Sequence, residues 1–285
     1  MDAEVAGAPA KSGREFEIEL ELLIDAIYHS YHYDFRGYAP ASLRRRLRAA
    51  LVSLECRSLS QLQDKLLRDP AVFAALLDFL TVQVSDMFRD PGYFRALRRQ
   101  VVPLLRTYPS LKVWVAGCST GEEAYSLAIL LREEGLLANT LIYATDINPR
   151  SLFKAASGVY DAGRVAGFTT NHHGSGAHSS LSDYYSAAYG RAVFDKSLKD
   201  HIVFSDHSLA TDSVFAEVQL VSCRNVLIYF SRALQDRALG LFDDALCSGG
   251  FLGIGSKESL RFSSYADAFA DFVRDEKIFR KRTAA

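Results

Sequence analysis

The stretch VWVAGCSTGEEAYSLAILL, from Val113 to Leu131, leaves few folds open to this chain. Val113, Trp114 and Val115 form a short apolar run suited to a parallel strand covered on both faces. Ala116, Gly117, Cys118, Ser119 and Gly121 keep the following turn small, so backbone amides can approach a ligand closely. Ser119 with Glu122, three residues on, matches a capping box that opens a helix. Ala124, Leu127, Ala128 and Leu131 then line one helical face. Strand, tight turn and helix in that order make a nucleotide-type binding element. It is not a phosphate loop, because the lysine and the Ser/Thr that follows it in that motif are missing.

Glu122 and Glu123 would repel a pyrophosphate at that helix start; they suit a ligand carrying an ammonium or sugar hydroxyls, and S-adenosylmethionine has both. The expected partner follows in LIYATDINP, Leu141 to Pro149, a second apolar strand ending in Asp146. A carboxylate at the tip of the second strand is the usual ribose-hydroxyl ligand of such folds. Asp146 could also serve only as a turn cap, but its spacing from the first element favours the ribose role. Asn148 before Pro149 reads as an N-cap with proline at the first helical position.

At 285 residues and 49% hydrophobic content, the chain can build one large domain or two modest ones. A formal net charge of −1 argues against nucleic-acid binding through bulk charge. No apolar run reaches membrane-spanning length, so no membrane insertion is expected, and MDAEVAGAPAKSG lacks the apolar core of a signal peptide. Cys56, Cys118, Cys223 and Cys247 form no CxxC pair and read as reduced, buried thiols of a cytoplasmic protein, with no metal site.

Residues before about Arg14 read as a tail without ordered structure. Helical spacing follows in Phe16, Leu20, Leu23, Ile24, Ile27 and Tyr31, then in Leu43, Leu47, Leu51 and Leu54 after Pro40. Leu62 with Leu66, and Val72 to Leu80, suggest two more helices. Pro91 to Thr107 is helical again, and a helical domain over 15–90 precedes an α/β domain over 91–285. Within the second, a helix from Arg150 to Ser157 stops at Gly158. GRVAGFTTNHHGSGAHSSLS breaks all periodicity, and His172, His173 and His178 read as solvated loop residues. Tyr184 to Asp195 reads as a small helix and a short strand. Strands are expected at HIVFSDHSL and VQLVSCRN, then a helix from Ser231 to about Cys247, a turn at Gly249-Gly250, and a strand at FLGIG. A closing hairpin around Asp275-Glu276-Lys277 completes an alternation that predicts a mostly parallel, doubly wound α/β sheet.

Two further segments carry chemistry: LTVQVSDMFRDP, Leu80 to Pro91, and SCRNVLIYF, Ser222 to Phe230, just past the carboxyl end of a strand. In their order along the chain, the four segments together resemble the CheR family of chemotaxis-receptor methyltransferases, from about residue 16 onwards. The resemblance implies a Rossmann-like class I methyltransferase domain, preceded by a small all-helical domain and carrying a small β-subdomain inserted over about residues 159 to 203. It implies methyl transfer from S-adenosylmethionine to glutamate side chains on the cytoplasmic domain of a chemoreceptor, giving glutamyl methyl esters and S-adenosylhomocysteine.

Carried over by position, the resemblance implies that Gly117, Glu123, Asp146, Ser208, Leu209, Arg224 and Asn225 contact the cofactor. The family's linker reads T-x-N-x-T-x-F-F-R; here Gln83 replaces the asparagine, Ser85 the second threonine and Met87 the first phenylalanine. Ser85 keeps the hydroxyl and Arg89 the guanidinium, so Gln83, Ser85 and Arg89 are carried over as cofactor contacts too. Arg89 and Tyr229 are the implied catalytic residues. A glutamate carboxylate, with a reference pKa of about 4.3, is already ionised at neutral pH and needs no base. Positioning can then supply much of the catalysis, and an arginine fork is well shaped to grip a carboxylate. Arg44, Arg45, Arg46 and Arg48 match a basic helix expected to dock the acidic receptor region. The hairpin region between Tyr185 and His201 is shorter than in members that tether to a receptor's C-terminal peptide, so no such tether is expected.

Two alternatives stay open at this level: a non-catalytic S-adenosylmethionine-binding adaptor, and a methyltransferase with another acceptor. Against methylation of nucleic acid bases, Cys223-Arg224-Asn225-Val226 stands where a D/N-P-P-Y/F sequence would be needed.

Overall fold

The computed structural model describes residues 13–83 and 85–283, and its contacts divide the chain into two compact units, one ending at Thr81 and one beginning at Val82. The division precedes the boundary near residue 90 read from the sequence because the linker packs with the second unit, whose core buries Met87 and Phe88. The tail read before about residue 14 lies, up to residue 12, outside the described residues; Gly13 and Arg14 open the first helix.

Among its described residues the first unit has four helices, α1 (Gly13–Tyr31), α2 (Pro40–Ser53), α3 (Leu59–Arg68) and α4 (Pro70–Leu80). Ser58 caps α3 by accepting from the Gln61 amide, and Asp69 caps α4 ahead of Pro70. Leu23, Ile27, Leu47, Leu62, Leu66 and Leu76 are fully buried between them. The basic run on α2 is not a uniform solvated face. Arg46 shares the inner face with Leu43, Leu47 and Ala50, is itself buried, and donates to the Leu80 carbonyl. Arg44 pairs with Glu17 at 2.7 Å, the Arg48 guanidinium lies 5.2 Å from the Phe16 ring centroid, and Arg45 and Arg48 are both exposed.

The second unit opens with α5 (Pro91–Ala96), a π-helical turn (Leu97–Val101) and α6 (Val102–Leu105). Pro103 explains the break in helical register: it has no N–H to donate, and its ring crowds the carbonyl four residues back. Then follow β1 (Leu111–Ala116), α7 (Glu122–Glu133), β2 (Thr140–Asp146), α8 (Pro149–Ser157), β3 (Val159–Asp161), α9 (Val165–Gly174), β4 (Tyr185–Ala188) and β5 (Arg191–Phe194). The chain continues with α10 (Lys196–Lys199), β6 (Ile202–Asp206), β7 (Val218–Cys223), α11 (Arg232–Ala245), β8 (Leu246–Ile254), β9 (Phe269–Val273) and β10 (Ile278–Lys281).

The seven-stranded sheet has the order β6-β2-β1-β7-β8-β10-β9. Its first five strands run parallel, and β10 is antiparallel to both neighbours. This is the Rossmann-like class I methyltransferase arrangement: the order reverses between β1 and β7, and ligands bind at such a switch point beyond the carboxyl ends of the strands.

Three segments differ from the sequence reading. The histidine-bearing stretch is a loop only in part: residues 165–174 form α9, with Val165, Phe168 and His172 buried, while His173 and His178 are exposed. Tyr184 to Asp195 is a hairpin, β4 and β5, and with β3 it forms a separate sheet of order β3-β5-β4. Its turn is Tyr189-Gly190, both at positive φ, as two-residue hairpins of this hand require. Gly249 and Gly250 do not turn the chain but lie inside β8, where Gly249 at φ +74° accommodates a shift of register against β7.

His172 is held by a buried ionic cluster. Its Nε2 lies 3.0 Å from Glu133 Oε1, and Glu133 also accepts from Ser179, Tyr184 and the buried Arg98 guanidinium. Burial alone pushes the Glu133 carboxyl up, but hydrogen bonds from His172 and Ser179 and the charge of Arg98 outweigh it and hold it at about 2. A depressed carboxylate stabilises the fold fully above its unfolded value of 4.5, and that stability is lost as pH falls through about 2. Urea midpoints should therefore drop between these two pH values, by an amount equivalent to about 3 kcal/mol. Glu133→Gln should flatten that slope; an unchanged slope would show that other carboxylates carry the acid sensitivity.

Candidate active site

The turn after β1 is built on constrained backbone. Gly117 lies at φ +73°, and a Cβ there would meet Val226 Cγ2 at 2.5 Å, so only glycine fits. Gly117 and Cys118 donate to the Thr145 carbonyl, which ties the turn to the end of β2. Ser119, a non-glycine residue at φ 50°, donates its amide to Asp146 Oδ2 at 2.8 Å. Asp146 Oδ1 accepts from the Asn148 amide at 3.0 Å. Each carboxylate oxygen thus has an N–H partner at hydrogen-bond distance. Burial raises the Asp146 carboxyl above its ordinary range, against the pull of the Asn148, Ser119 and Ile147 amides.

The expected Ser119–Glu122 capping box does not form. Gly121 is the N-cap of α7, and Glu122, fully buried, accepts from Thr120 Oγ1 at 2.7 Å and pairs with Arg164 at 2.8 Å. Glu123 accepts from Ser222 Oγ at 2.6 Å and from Arg224 at 3.3 Å. Arg224 in turn reaches Asp90 at 2.7 Å and lies 4.2 Å from the Tyr93 ring centroid. Both acids expected to sit open beside the ligand are therefore matched by arginines. The Arg224 side chain is 1% exposed, and its Nε is without a partner among the described residues.

The remaining positions lie on the segments that follow β6 and β7 and on the linker. Ser208 and Leu209 follow β6, which pairs Asp206 with Asp146. Ser208 donates its amide to Asp212 at 2.9 Å, and Leu209 is buried. Asn225, at φ 61°, and Tyr229, half-buried in a short 3₁₀ turn, follow β7. The linker passes the same place: Ser119 Oγ reaches the Val82 carbonyl at 3.4 Å, Gln83 is exposed, and Ser85 and Arg89 are half-buried. Phe88, Asp90, Ser119 and Asn225 are all non-glycine residues in the left-handed region; such strain collects at binding sites.

Three residues that organise the site went unread in the sequence. Arg164, at the start of α9, binds Glu122, Asp86 and the Ser85 carbonyl, and thereby clamps the linker to the first turn of α7. Asn171 adds a 3.1 Å bond to the Met87 carbonyl. Glu258 is buried and accepts from the amides of Gly255, Asn225 and Ile228, which holds the turn after β7. All three join residues far apart in the chain, so no local pattern announces them. Arg164→Ala would strand Glu122 as an unpaired buried carboxylate and should lower unfolding stability by about 2–3 kcal/mol in urea titrations, after allowance for the partial exposure of Arg164. A double-mutant cycle with Glu122→Gln should recover much of the loss; simple additivity would refute the pairing.

Comparison with known proteins decides the family. Residues 83–274 match the model described as CheR methyltransferase, SAM binding domain, and residues 18–81 the CheR methyltransferase all-alpha domain. The chain belongs to the CheR methyltransferase family. It is 58% identical over 270 residues to the Cher3 protein of Pseudomonas putida, covering 95% of this chain and 99% of that one. It is 30% identical over 229 residues to the chemotaxis protein methyltransferase of Listeria monocytogenes, covering 80% and 84%. Against the N-methyltransferase NodS of Bradyrhizobium japonicum with bound S-adenosylhomocysteine, identity is 15%, coverage 70% and 90%, and the TM-score 0.38, a likeness too low to carry an argument. CheR-type membership makes the protein an S-adenosylmethionine-dependent methyltransferase, and the glycine cradle, the paired amides on Asp146 and the buried unpartnered Arg224 Nε fit that cofactor. Among the described residues no helix is long and apolar enough to cross a membrane.

Proposed function

We propose that this protein methylates glutamate side chains on the cytoplasmic domain of a chemoreceptor, as part of chemotaxis-type signalling in the cytoplasm. One observation carries the choice of acceptor: Arg89 has no ion pair or hydrogen-bond partner among the described residues, while Arg164 and Arg224, which bind the linker before and after it in sequence, are both matched by carboxylates. A half-buried, unmatched guanidinium at the site suits an acceptor that brings its own carboxylate.

When bound, S-adenosylmethionine supplies a methyl group on a sulfonium and is left as S-adenosylhomocysteine. In this reading Asp146 accepts the ribose hydroxyls, while Gly117 and Ser119 let the backbone come close. Glu123, Arg224 and Asn225 form the wall at the end of β7, with Gln83, Ser85, Ser208 and Leu209 around it. Arg89 grips one oxygen of the acceptor glutamate and leaves the other free to attack, beside Tyr229. No residue need remove a proton, because the acceptor is already ionised. Arg44, Arg45 and Arg48 contribute to receptor docking, whereas Arg46 supports α2 from within.

The reading is tested by transfer of labelled methyl from S-adenosylmethionine to receptor cytoplasmic domains. Base-labile label that disappears when the acceptor glutamates become alanine is the expected result. Cofactor binding without transfer to any receptor would count against it. The β4–β5 hairpin has only four residues per strand, so capture of a receptor C-terminal peptide is not required; a titration showing tight, specific binding of that peptide would contradict this point.

A further inference from the structure

The loop after β8, residues 255–265, lies beyond the carboxyl end of a sheet strand and is clamped to the turn that carries Tyr229. Glu258 does the clamping, through the Asn225 amide at 3.1 Å and the Ile228 amide at 3.2 Å. It is the only acid in that loop, and its charge is turned inward. Between exposed serines the loop shows two cations and the large apolar side chain of Phe262 to solvent. Lys257 and Arg261 are exposed and have no carboxylate partner among the described residues. Phe262 is 76% exposed, with the Arg232 guanidinium 5.3 Å from its ring centroid, and Ile228, next to Tyr229, is 40% exposed. Arg232 at the exposed phenyl, with Lys257 and Arg261 in the loop, gives three cations against the Asp236 carboxylate held by Ser264, a net local charge opposite in sign to an acidic partner.

We infer that this face docks the acidic stretch of the acceptor protein flanking the glutamate to be methylated. The inference rests on the glutamate-methylation reading and adds to it a contact surface on the catalytic unit, separate from the arginines of α2. Its position explains the arrangement: a chain that delivers a side chain to Tyr229 must pass the rim on which Ile228 lies. The cations would speed encounter and set register, and Phe262 with Ile228 would supply apolar contact. Every residue involved is exposed, so substitution leaves the fold and the cofactor turn intact.

The test is methyl transfer to a receptor cytoplasmic domain, followed as a function of receptor concentration and of salt, for wild type, a K257E/R261E double variant and Phe262→Ala. S-adenosylhomocysteine affinity is measured alongside by calorimetry. The charge reversal should raise KM for the receptor about tenfold and flatten its salt dependence, with kcat and S-adenosylhomocysteine affinity unchanged. Phe262→Ala should raise KM roughly threefold without altering the salt slope. An active wild type whose variants keep its KM and salt slope would overturn the docking face alone. A wild type that binds S-adenosylhomocysteine but methylates no receptor would overturn the glutamate reading and this face with it. Variants that keep the receptor KM but lose binding to phosphatidylserine vesicles would reassign the face to a lipid surface.

Discussion

Asp146→Ala should lower the affinity for S-adenosylhomocysteine by roughly a thousandfold, about 4 kcal/mol, as measured by calorimetry. The magnitude follows from two charge-assisted hydrogen bonds to ribose hydroxyls made by a carboxylate that is already desolvated. Nothing else in the turn can replace them: Glu122 is spent on Arg164 and Thr120, and Glu123 on Ser222 and Arg224. The affinity should also depend on pH in wild type and not in the variant. Burial raises the Asp146 carboxyl, so the free protein holds this proton to a higher pH than the unfolded chain does. Hydroxyl donors bind the ionised form better, so affinity falls as pH falls through that raised value and is fully present above it. The ionised group also costs the free fold some stability above that value, so the variant's melting temperature should stay close to wild type. An Asp146→Ala protein that binds the cofactor normally would remove the ribose role.

The strand-turn-helix at Val113 to Leu131 was legible because its signals are local: an apolar run, a cluster of small residues and a helical stripe. The same holds for Asp146, Asn148-Pro149 and the stop at Gly158, which lies at φ +66° as a helix-ending glycine should. What sequence did not show was set by partners distant in the chain. His172 looks solvated in a run of Gly, Ser and His, yet Glu133, thirty-nine positions earlier, draws it into the core. Helix α9 contains poor helix formers and an interior glycine, and tertiary contacts of Arg164, Phe168 and Asn171 hold it in place of propensity. The basic stripe of α2 misled in the opposite direction. Four arginines in five residues must point all round a helix, and one of them, Arg46, faces inward.

The turn acids show why residue type alone could not settle roles within the site. Glu122 and Glu123 are adjacent and alike, but α7 turns one towards Arg164 and the other towards Arg224. The two arginines reach the linker at different points, Ser85–Asp86 and Asp90. The linker is therefore pinned on both sides of Met87, Phe88 and Arg89. Phe88 is fastened between these points by its amide on Ser126 Oγ at 2.8 Å and by its ring against His172. Arg89 is the side chain that this fastening leaves uncommitted.

That arrangement makes Arg89→Ala the most informative substitution after Asp146, and it should lower kcat/KM for the receptor by about a hundred- to a thousandfold. The split between the two constants follows from the chemistry. Transfer removes the negative charge of the acceptor carboxylate, so the Coulombic part of an arginine grip is strongest before reaction and weaker at the transition state. Its loss should appear mainly in KM. The orienting part, the guanidinium hydrogen bonding to one oxygen that aims the other, acts in the transition state as well, and its loss should lower kcat by about tenfold. Arg89→Lys separates the parts: the charge remains, the fork is lost, and KM should recover further than kcat. S-adenosylhomocysteine affinity should fall by only a fewfold in both variants, because Asp146 and the β1 turn are untouched. Should turnover drop only in proportion to lost cofactor affinity, Arg89 would belong to the cofactor pocket, and the acceptor carboxylate would have to be held elsewhere.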